Sequence, residues 1–361
     1  MAAKSSKKRK KLIIALVCIL LALALIVGAL FAVVGHYLGK INRDDPGLTI
    51  PPSEEFFETD APPENTGILQ TTVGTLSPDG STEATTEPVA TEPPAVTVDP
   101  DEITWEELPA IGDDDILNIM LVGQDRRPGE GRTRSDVMML CSINPKTGEV
   151  SLISFLRDLY VQIPGGYSDN RLNVAYFFGG FPLLYETMYQ NFGITVDGGF
   201  EVDFEGFSDI VDTLGGVDVT LSGAEAKLVG VGESSGYYHL NGEQALTYSR
   251  IRSLDNDFNR TGRQRIVMEA IFNKFRGSDL STVLSLIDTV LPMLTTDMSN
   301  TEIISLATTL VPIMSNMEIS TYMIPAYDCY TFASIRGMSV LLPDLPKIRN
   351  YLATEYLPLN R

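Results

Sequence analysis

A charge-free run over residues 12–34, directly after a basic cluster, constrains this chain more than any other feature. The cluster places six Lys and Arg and no acid within residues 1–11. About 20 apolar residues cross a bilayer core as a helix, whereas the apolar part of a cleaved signal peptide has only about 7–15. We therefore predict a cytoplasmic tail over 1–11 and one uncleaved membrane anchor over 12–34. Because basic flanks stay in the cytoplasm, the rest of the chain is predicted to be extracellular, at the plasma membrane.

Residues 35–112 have the composition of a linker. They are rich in Pro, Thr and Glu, and residues 44–115 contain nineteen acids and no Lys or Arg. Few apolar side chains and strong self-repulsion predict a disordered segment. As a coil of about 70 residues it would reach roughly 45–50 Å. It is predicted to be either a stalk that sets the height of a domain above the membrane or a plain spacer.

The formal net charge of −20 is distributed unevenly. It is +8 over residues 1–43, −19 over 44–115 and −9 over the remainder. Duplex binding depends on neutralising phosphates with surface cations. The acidic exterior therefore argues against a nucleic acid as the partner.

From residue 116 onward, the pattern is that of a layered domain. Continuous apolar runs that end in Gly or polar residues are typical of buried strands. Such runs cover 116–123, 137–144 and 150–155, and helical periodicity covers 181–192, 205–216, 241–252 and 262–275. Alternating strands and helices predict an α/β fold over 113–361, with a layered mixed β-sheet flanked by helices.

Arginine is concentrated in this domain, which contains fifteen Arg and only four Lys. Eleven of the fifteen lie between residues 126 and 265. They are Arg126, Arg127, Arg132, Arg134, Arg157, Arg171, Arg250, Arg252, Arg260, Arg263 and Arg265. Arginine binds phosphate and carboxylate groups through two parallel hydrogen bonds. A cluster of this kind in an acidic domain predicts a local cationic cleft.

Two carboxylates stand at predicted strand ends within this cationic stretch. Asp125 follows the first strand and Asp136 precedes the second. Strand ends are where α/β sheets usually carry their sites. Magnesium takes one or two carboxylates and fills its other positions with water and phosphate oxygens. We therefore predict a Mg²⁺ site, which Mn²⁺ could also fill. A structural ion pair between Asp136 and Arg134 is the alternative.

The cysteines leave one question open. Cys18 lies in the predicted anchor, and Cys141 and Cys329 lie in the domain. One disulfide is arithmetically possible. Two buried free thiols are the favoured interpretation.

Several segments of residues 116–275 resemble the LytR-CpsA-Psr family of bacterial cell-wall proteins. They are ILNIMLVGQDRR, RTRSDVMMLCSINPKTGEVSLISFLRD, DNRLNVAY, FEVDFEGFSDIVDTLGGVDV and YYHLNGEQALTYSRIR followed by NDFNRTGRQR. The resemblance implies a phosphotransferase with a hydrophobic tunnel for a prenyl chain. Such an enzyme would move an anionic glycopolymer, for example teichoic acid or capsule, from an undecaprenyl pyrophosphate carrier to a peptidoglycan sugar hydroxyl.

The resemblance also implies roles for individual residues. Asp125 and Asp136 match the magnesium-associated acids, and Arg157 and Asp125 are the expected catalytic residues, with Asp125 as the candidate general base. The residues expected to hold the pyrophosphate are Arg157, Arg171, Arg250, Arg252, Arg260, Arg263 and Gln264. The candidates for the lipid tunnel are Phe177, Phe178, Phe181 and Leu184, for which ordinary core packing is an equally good explanation.

Three other functions stay open at this point. A non-catalytic binder of lipid pyrophosphate, or a scaffold for wall enzymes, would need the arginines but not both acids. A polyprenyl-pyrophosphate hydrolase would differ only in using water as the acceptor. A DNA-binding regulator would need the domain to lie in the cytoplasm, which disagrees with the predicted topology.

Overall fold

The structure is a computed structural model that describes residues 35–45, 47–52, 95–107, 109–112, 115–126, 130–254, 257–276 and 290–359. The predicted cytoplasmic tail and membrane anchor lie outside these residues, as does the middle of the predicted linker. No helix within the described ranges is long and apolar enough to cross a membrane.

The described residues form strands, both short and long, and helices that flank a central sheet. In chain order the strands are β1 (Asn42–Arg43), β2 (Val96–Thr97), β3 (Leu117–Gln124), β4 (Ser135–Ile143), β5 (Glu149–Phe155), β6 (Tyr160–Val161), β7 (Asn170–Arg171), β8 (Gly198–Asp203), β9 (Val217–Leu221), β10 (Gly236–Leu240), β11 (Leu294–Thr296), β12 (Glu318–Ile324), β13 (Tyr330–Ile335) and β14 (Met338–Pro343). The helices are α1 (Asn173–Phe192), α2 (Phe204–Thr213), α3 (Gly223–Val229), α4 (Gly242–Ser249), α5 (Asp257–Arg276), α6 (Asn300–Leu310) and α7 (Leu345–Tyr351).

The central sheet has the order β1-β11-β8-β3-β4-β5-β12. Strand β3 runs parallel to β8 and antiparallel to β4, and β5 runs antiparallel to β4 and parallel to β12. The sheet is therefore mixed, and the prediction of a mixed sheet flanked by helices is confirmed. Residues 276–361, whose part in the fold the sequence did not explain, supply two of these strands, β11 and β12.

Alternate residues of the central strands pack against different layers, as the period of two in a strand requires. Met120, Val122 and Leu140 belong to the core beneath α1 and α7. Ile119 and Cys141 pack on the opposite face, where α5 and α6 lie. Cys141 and Cys329 are buried free thiols, and burial raises the pKa of each to about 12.

Five strand ends meet at one edge of the sheet, which we call the site edge. Gln124 at the end of β3 pairs with Asp203 of β8 and with Ser135 of β4. Phe155 at the end of β5 pairs with Ile324 at the end of β12. The order along the site edge is therefore β8, β3, β4, β5, β12. The loops that leave these ends carry Asp125, Asp136 and Arg157 close together.

Two stretches of the predicted linker are folded onto the domain. Residues 42–43 form β1 beside β11, and the amide of Ile50 donates to the carbonyl of Phe178 at 2.8 Å. Farther along, β2 pairs with β13, and Trp105 Nε1 donates to Asp169 at 2.7 Å. The prediction of one unstructured linker over 35–112 is wrong for these stretches. The polar composition of the linker as a whole does not show that single apolar residues, Ile50 and Trp105, pack against the domain.

Candidate functional site

A cavity of about 390 Å³ opens at the site edge, between the central sheet and helices α2, α4 and α5. Its wall is mostly apolar. The side chains of this wall include Leu121, Met139, Phe200, Val202, Phe207, Ile210, Leu246, Met268 and Ile271. Ligand pockets of roughly 300–1,000 Å³ with apolar walls and a few polar groups are typical binding sites for small molecules. This wall is apolar enough to pack against the end of a long apolar chain.

Charged side chains gather at the same cavity. Asp125, Asp136, Arg250, Arg252, Arg260 and Gln264 all line it. Asp125 Oδ2 lies 3.3 Å from Arg250 Nη2, and Asp136 Oδ1 lies 3.8 Å from Arg252 Nη2. The cavity is therefore amphipathic, with an apolar wall and a mouth that carries three arginines and two carboxylates.

Arg250 is positioned by the end of a well-capped helix. Helix α4 begins with a capping box between Asn241 and Gln244, and Arg250 is its C-terminal cap. The guanidinium of Arg250 lies over the ring of Phe204, 4.4 Å from its centroid. A cation over an aromatic face is attracted by the ring quadrupole. The ring and Asp125 together hold this half-exposed arginine at the mouth.

Arg157 connects the cavity mouth to the start of α5 through its ion pairs. Its Nη1 donates to Asp136 Oδ1 at 2.7 Å, and its guanidinium lies 3.6 Å from Asp158 and 3.7 Å from Asp257. Burial acts to lower the pKa of Arg157, but the three carboxylates outweigh it and raise the pKa above its ordinary value. Arg157 therefore keeps its charge at every physiological pH.

Arg260 is the most deeply buried cation of the cavity, with 2% of the residue exposed. Its Nη2 lies 2.6 Å from Asp257 Oδ1, and its buried Nε has no hydrogen-bond partner. Burial lowers the pKa of Arg260, and the neighbouring charges of Arg157 and Arg252 lower it further. A buried N–H without an acceptor is costly, and an anion at the mouth would remove that cost.

Three of the predicted phosphate-binding arginines do not line the cavity: Arg157, which contacts the lining residue Asp136, and also Arg171 and Arg263. Arg263 Nε donates to Glu225 at 2.8 Å and its Nη1 donates to the carbonyl of Ile251 at 3.1 Å.

Arg171 Nη2 donates to the carbonyl of Ser339 at 2.8 Å, and its Nε lies 3.5 Å from Asp158. The side chains of Arg171 and Arg263 are both buried in contacts between elements. Arg171 supports the site indirectly, because it holds Asp158 beside Arg157.

The four candidates for the lipid tunnel lie in the core on the α1 side of the sheet. Phe181 and Leu184 are fully buried there, Phe178 stacks on Tyr167 at 4.9 Å, and Phe177 packs against the same core. None of the four lines the cavity described above. Their role in a lipid tunnel therefore stays a prediction, because a run of apolar residues does not reveal whether it fills a core or borders a cavity.

Two acidic residues that contact the site arginines were not among the predicted site residues. Asp257 binds Arg157 and Arg260, and Asp158 binds Arg157 and Arg171. Burial raises the pKa of Asp158, and Arg157 and Arg171 act against that rise. The adjacency of Asp158 to Arg157 in the chain, and the three-residue spacing of Asp257 and Arg260 on a helix, were the available signals.

The residues at the mouth fit a magnesium ion in kind and number. Asp125 and Asp136 reach the same cavity from neighbouring strands. The described residues contain no cluster of three or more His, Cys, Asp or Glu that could hold a metal ion. Magnesium differs from zinc or calcium in this respect, because one or two carboxylates suffice when substrate phosphates complete its shell.

A family model describes most of this chain. The model of the LytR_cpsA_psr family matches residues 76–353. The chain belongs to the LytR-CpsA-Psr family. Its resemblance to this family, inferred from the motifs, is thereby confirmed.

Individual relatives in this family have been named for an activity. A stretch of 171 residues is 39% identical to the polyisoprenyl-teichoic acid–peptidoglycan teichoic acid transferase TagU of Bacillus mycoides, covering 47% of this chain and 55% of that protein. TagU of Bacillus subtilis is 35% identical over 176 residues, covering 48% of this chain and 56% of that protein. The matches thus span about half the length of these relatives.

Solved structures share the fold over a larger part of the chain. TagT bound to LIIa-WTA aligns with a TM-score of 0.55 and 26% identity, over 67% of this chain and 91% of that one. Bacillus subtilis TagV aligns with a TM-score of 0.54 and 26% identity, over 69% of this chain and all of that one. The central sheet and its flanking helices are therefore those of LytR-CpsA-Psr proteins.

Proposed function

We propose that this protein transfers an anionic glycopolymer, of the teichoic acid class, from an undecaprenyl pyrophosphate carrier to a sugar hydroxyl of peptidoglycan. The observation that carries the proposal is the amphipathic cavity, whose apolar wall meets Arg250, Arg252 and Arg260 at the mouth. A prenyl pyrophosphate has the same two parts, a long apolar chain and a dense negative charge. The names of the TagU relatives support a glycopolymer as the group that is moved.

The reaction forms one phosphorus–oxygen bond and breaks another. The acceptor hydroxyl oxygen bonds to the phosphorus that carries the glycan, and the bond from that phosphorus to the lipid phosphate breaks. Prenyl monophosphate leaves, and the hydroxyl proton passes to a base or to water. Phosphoryl transfer of this kind depends mainly on positioning and on neutralising charge. Arg250, Arg252 and Arg260 are placed to neutralise the charge that grows on the leaving phosphate.

Arg157 has a different part in this proposal. Three carboxylates fix its guanidinium between the cavity mouth and the start of α5. A prepositioned donor costs no reorganisation when charge develops during the reaction. In this proposal Arg157 binds the non-bridging oxygens of the transferred phosphate. Asp158 and Asp257 hold it there.

Magnesium, or manganese in its place, belongs to the proposal as the cofactor. Asp125 and Asp136 would hold it. When bound, the ion would withdraw charge from phosphate oxygens and so stabilise the transition state. The anchor over residues 12–34 and the extracellular position of the domain also belong to the proposal, because the carrier lipid and peptidoglycan would then both be within reach.

Release of prenyl monophosphate gives a direct test. Full-length protein in lipid nanodiscs would be incubated with Mg²⁺ and an undecaprenyl-pyrophosphate disaccharide, with or without uncrosslinked peptidoglycan strands. We expect release to require both Mg²⁺ and the strands. Equal release without strands would identify a hydrolase. Tight donor binding without release under any condition would identify a binder and contradict the proposal.

A further inference from the structure

An exposed aromatic residue lies at the far end of the site edge from the cavity. Tyr327 follows β12, and 53% of it is exposed to solvent. Its ring stacks on that of Phe258, with centroids 5.9 Å apart and planes 9° from parallel. Phe258 is buried and also packs against Tyr330, 5.3 Å away. A rigid aromatic core thus supports a ring at the surface.

The charged site is connected to this ring through Phe258. Phe258 is the residue after Asp257, whose carboxylate lies 2.6 Å from Arg260 and 3.7 Å from Arg157. The amide of Leu156 donates to the carbonyl of Ile324 at 2.8 Å, so the segments that carry Arg157 and Tyr327 leave β5 and β12 side by side. The chain of ion pairs from the cavity mouth therefore ends at Asp257, the residue that precedes Phe258.

In phosphoryl transfer the attacking and leaving oxygens lie roughly in line through the phosphorus. The acceptor and the leaving group therefore occupy opposite sides of the phosphorus atom. The apolar cavity is built on the β8, β3 and β4 end of the site edge, which makes it the side of the leaving lipid phosphate. The attacking hydroxyl must then approach from the β5 and β12 end. That end lies two strands from β4, about 10 Å away, since neighbouring strands are about 4.8 Å apart.

We infer that Tyr327, supported by Phe258, is the platform on which the glycan acceptor stacks, so that its hydroxyl faces the phosphate held beside Arg157. This inference rests on the proposed function and names the acceptor side of the same site. The faces of pyranose rings present C–H groups with partial positive charge, and the face of an aromatic ring is negative. The neighbouring Asp328 is exposed and accepts from Tyr351 Oη at 3.5 Å, so polar groups for sugar hydroxyls border the ring.

The same geometry bears on the proton that the acceptor loses. Asp125, the candidate base from the sequence, lies at the cavity mouth with Arg250, on the side of the leaving group. Asp257 lies between Arg157 and the aromatic platform, on the side of the acceptor. Its carboxylate contacts Arg157 and belongs to the residue that precedes Phe258.

Glycan binding by the full-length protein tests the inference without any requirement for transfer. The probes are N-acetylglucosamine tetramer and uncrosslinked peptidoglycan strands, and affinity is measured by calorimetry. We expect Tyr327→Ala to weaken binding about tenfold, as the loss of one stacking surface would. Tyr327→Phe should bind nearly as well as the wild type. Tyr189→Ala is the matched control, because Tyr189 is also 53% exposed but lies on α1.

The outcomes separate this inference from the proposed function. If Tyr327→Ala binds both glycans as tightly as wild type, or if Tyr189→Ala loses as much affinity, the platform is disproved, whatever the transfer activity. If the effect of Tyr327→Ala appears only with prenyl lipid or stem peptide as the probe, the platform serves another ligand and the inference is wrong. If glycan binding depends on Tyr327 but wild type transfers nothing, the platform stands and the proposed function fails. In an active enzyme, Tyr327→Ala should raise KM for the strands and leave KM for the lipid donor unchanged.

Discussion

At Arg157 three carboxylates converge on one guanidinium, and they come from a strand, a turn and a helix. Asp136 lies on β4, Asp158 follows Arg157 in the chain, and Asp257 begins α5. A lysine could keep the charge but not three directed contacts, because its ammonium is a compact charge and not a planar fork. The shape of this side chain therefore matters as much as its charge.

Replacing Arg157 with Lys tests that conclusion. We expect Arg157→Lys to lower the rate of prenyl monophosphate release by about 100-fold or more, the usual effect of losing one prepositioned donor. The melting temperature should change little. Arg336→Lys, remote from the cavity, is the control and should keep the wild-type rate. A rate within twofold of wild type for Arg157→Lys would show that charge alone suffices.

Glu225 and Arg263 form a contact whose strength should depend on pH. Burial acts to raise the pKa of Glu225, but the hydrogen bonds from Arg263 and Ser222 outweigh it and lower the pKa below its ordinary value of 4.5. A lowered pKa in the folded state means that Glu225 stabilises the fold fully above pH 4.5. This contribution is lost as the pH falls through the lowered value.

Urea unfolding across the pH range checks this linkage. Glu225→Gln should be less stable than wild type at pH 7, and the difference should shrink below pH 4.5 as the wild type loses its own contribution. Glu233→Gln, which alters an exposed pair with Lys227, should change the unfolding free energy by less than about 1 kcal/mol at either pH. A difference for Glu225→Gln that stays constant from pH 7 to pH 3 would contradict the assignment.

Some site residues could be predicted from the sequence and others could not. Asp125 and Asp136 were predictable because apolar runs mark the strand ends beside them. Arg260 and Arg263 are three residues apart on one helix, and only the packing of α3 decides that one lines the cavity while the other binds Glu225. Which arginines line the cavity thus depends on tertiary contacts.

Among the elements, the segment that includes β1 contacts the loop between β3 and β4. Asp44 Oδ1 lies 3.4 Å from Arg132 Nε, and both side chains are less than 10% exposed. Arg132 lies between Asp125 and Asp136 in the chain. A β-carbon at Gly180, whose φ is +63°, would lie 2.5 Å from Asp44 Oδ2, so glycine is required where α1 bends around this pair.

Removing one partner of this buried pair should destabilise the protein strongly. We expect Asp44→Ala to lower the free energy of unfolding by about 3–5 kcal/mol, because Arg132 would be left buried without its carboxylate. Denaturation of the full chain in detergent would measure this loss. Asp45→Ala removes the adjacent exposed carboxylate and should cost less than about 1 kcal/mol. Equal stabilities of the two variants would show that residues 42–52 do not dock as described.

The helices above the sheet form the cavity, and their side chains should set which lipids fit. Leu246 on α4 lines the cavity, whereas Leu228 on α3 is 45% exposed. We expect Leu246→Trp to reduce turnover of an undecaprenyl donor at least about tenfold, because the added volume fills space that the chain needs. A donor with a short prenyl chain should be affected much less.

Leu228→Trp is the control for that substitution and should handle both donors as wild type does. Equal loss with long and short donors in Leu246→Trp would show that the substitution disturbs the site in general. Normal turnover of the long donor would show that the prenyl chain binds elsewhere.

The elements themselves were predictable to different degrees. The central strands are long apolar runs, so β3, β4 and β5 were placed correctly within a few residues. Strands β1 and β2 have two residues each and lie in polar sequence, so no periodicity could reveal them. They exist because β11 and β13 offer unpaired strand edges beside them.

At the scale of the whole molecule, the parts of the site follow the order of the strands. The apolar cavity lies at the β8 and β3 end, the carboxylates and arginines in the middle, and the Tyr327 and Phe258 rings at the β12 end. A lipid donor, its phosphates and a glycan acceptor would be arranged in that sequence. The residues that supply this arrangement are far apart in the chain, so the sequence revealed the arginines and two of the carboxylates but neither the aromatic rings nor the order of the parts.

The identity of the phosphate-containing product distinguishes transfer to peptidoglycan from hydrolysis. Full-length protein would be given an undecaprenyl-pyrophosphate disaccharide labelled in the phosphate next to the sugar, together with peptidoglycan strands and Mg²⁺ in ¹⁸O-water. We predict that mass spectrometry will find the labelled phosphate as a diester between the two sugars, without ¹⁸O. Labelled phosphate on the disaccharide alone, carrying one ¹⁸O, would mean that water is the acceptor and that the protein is not a glycopolymer transferase.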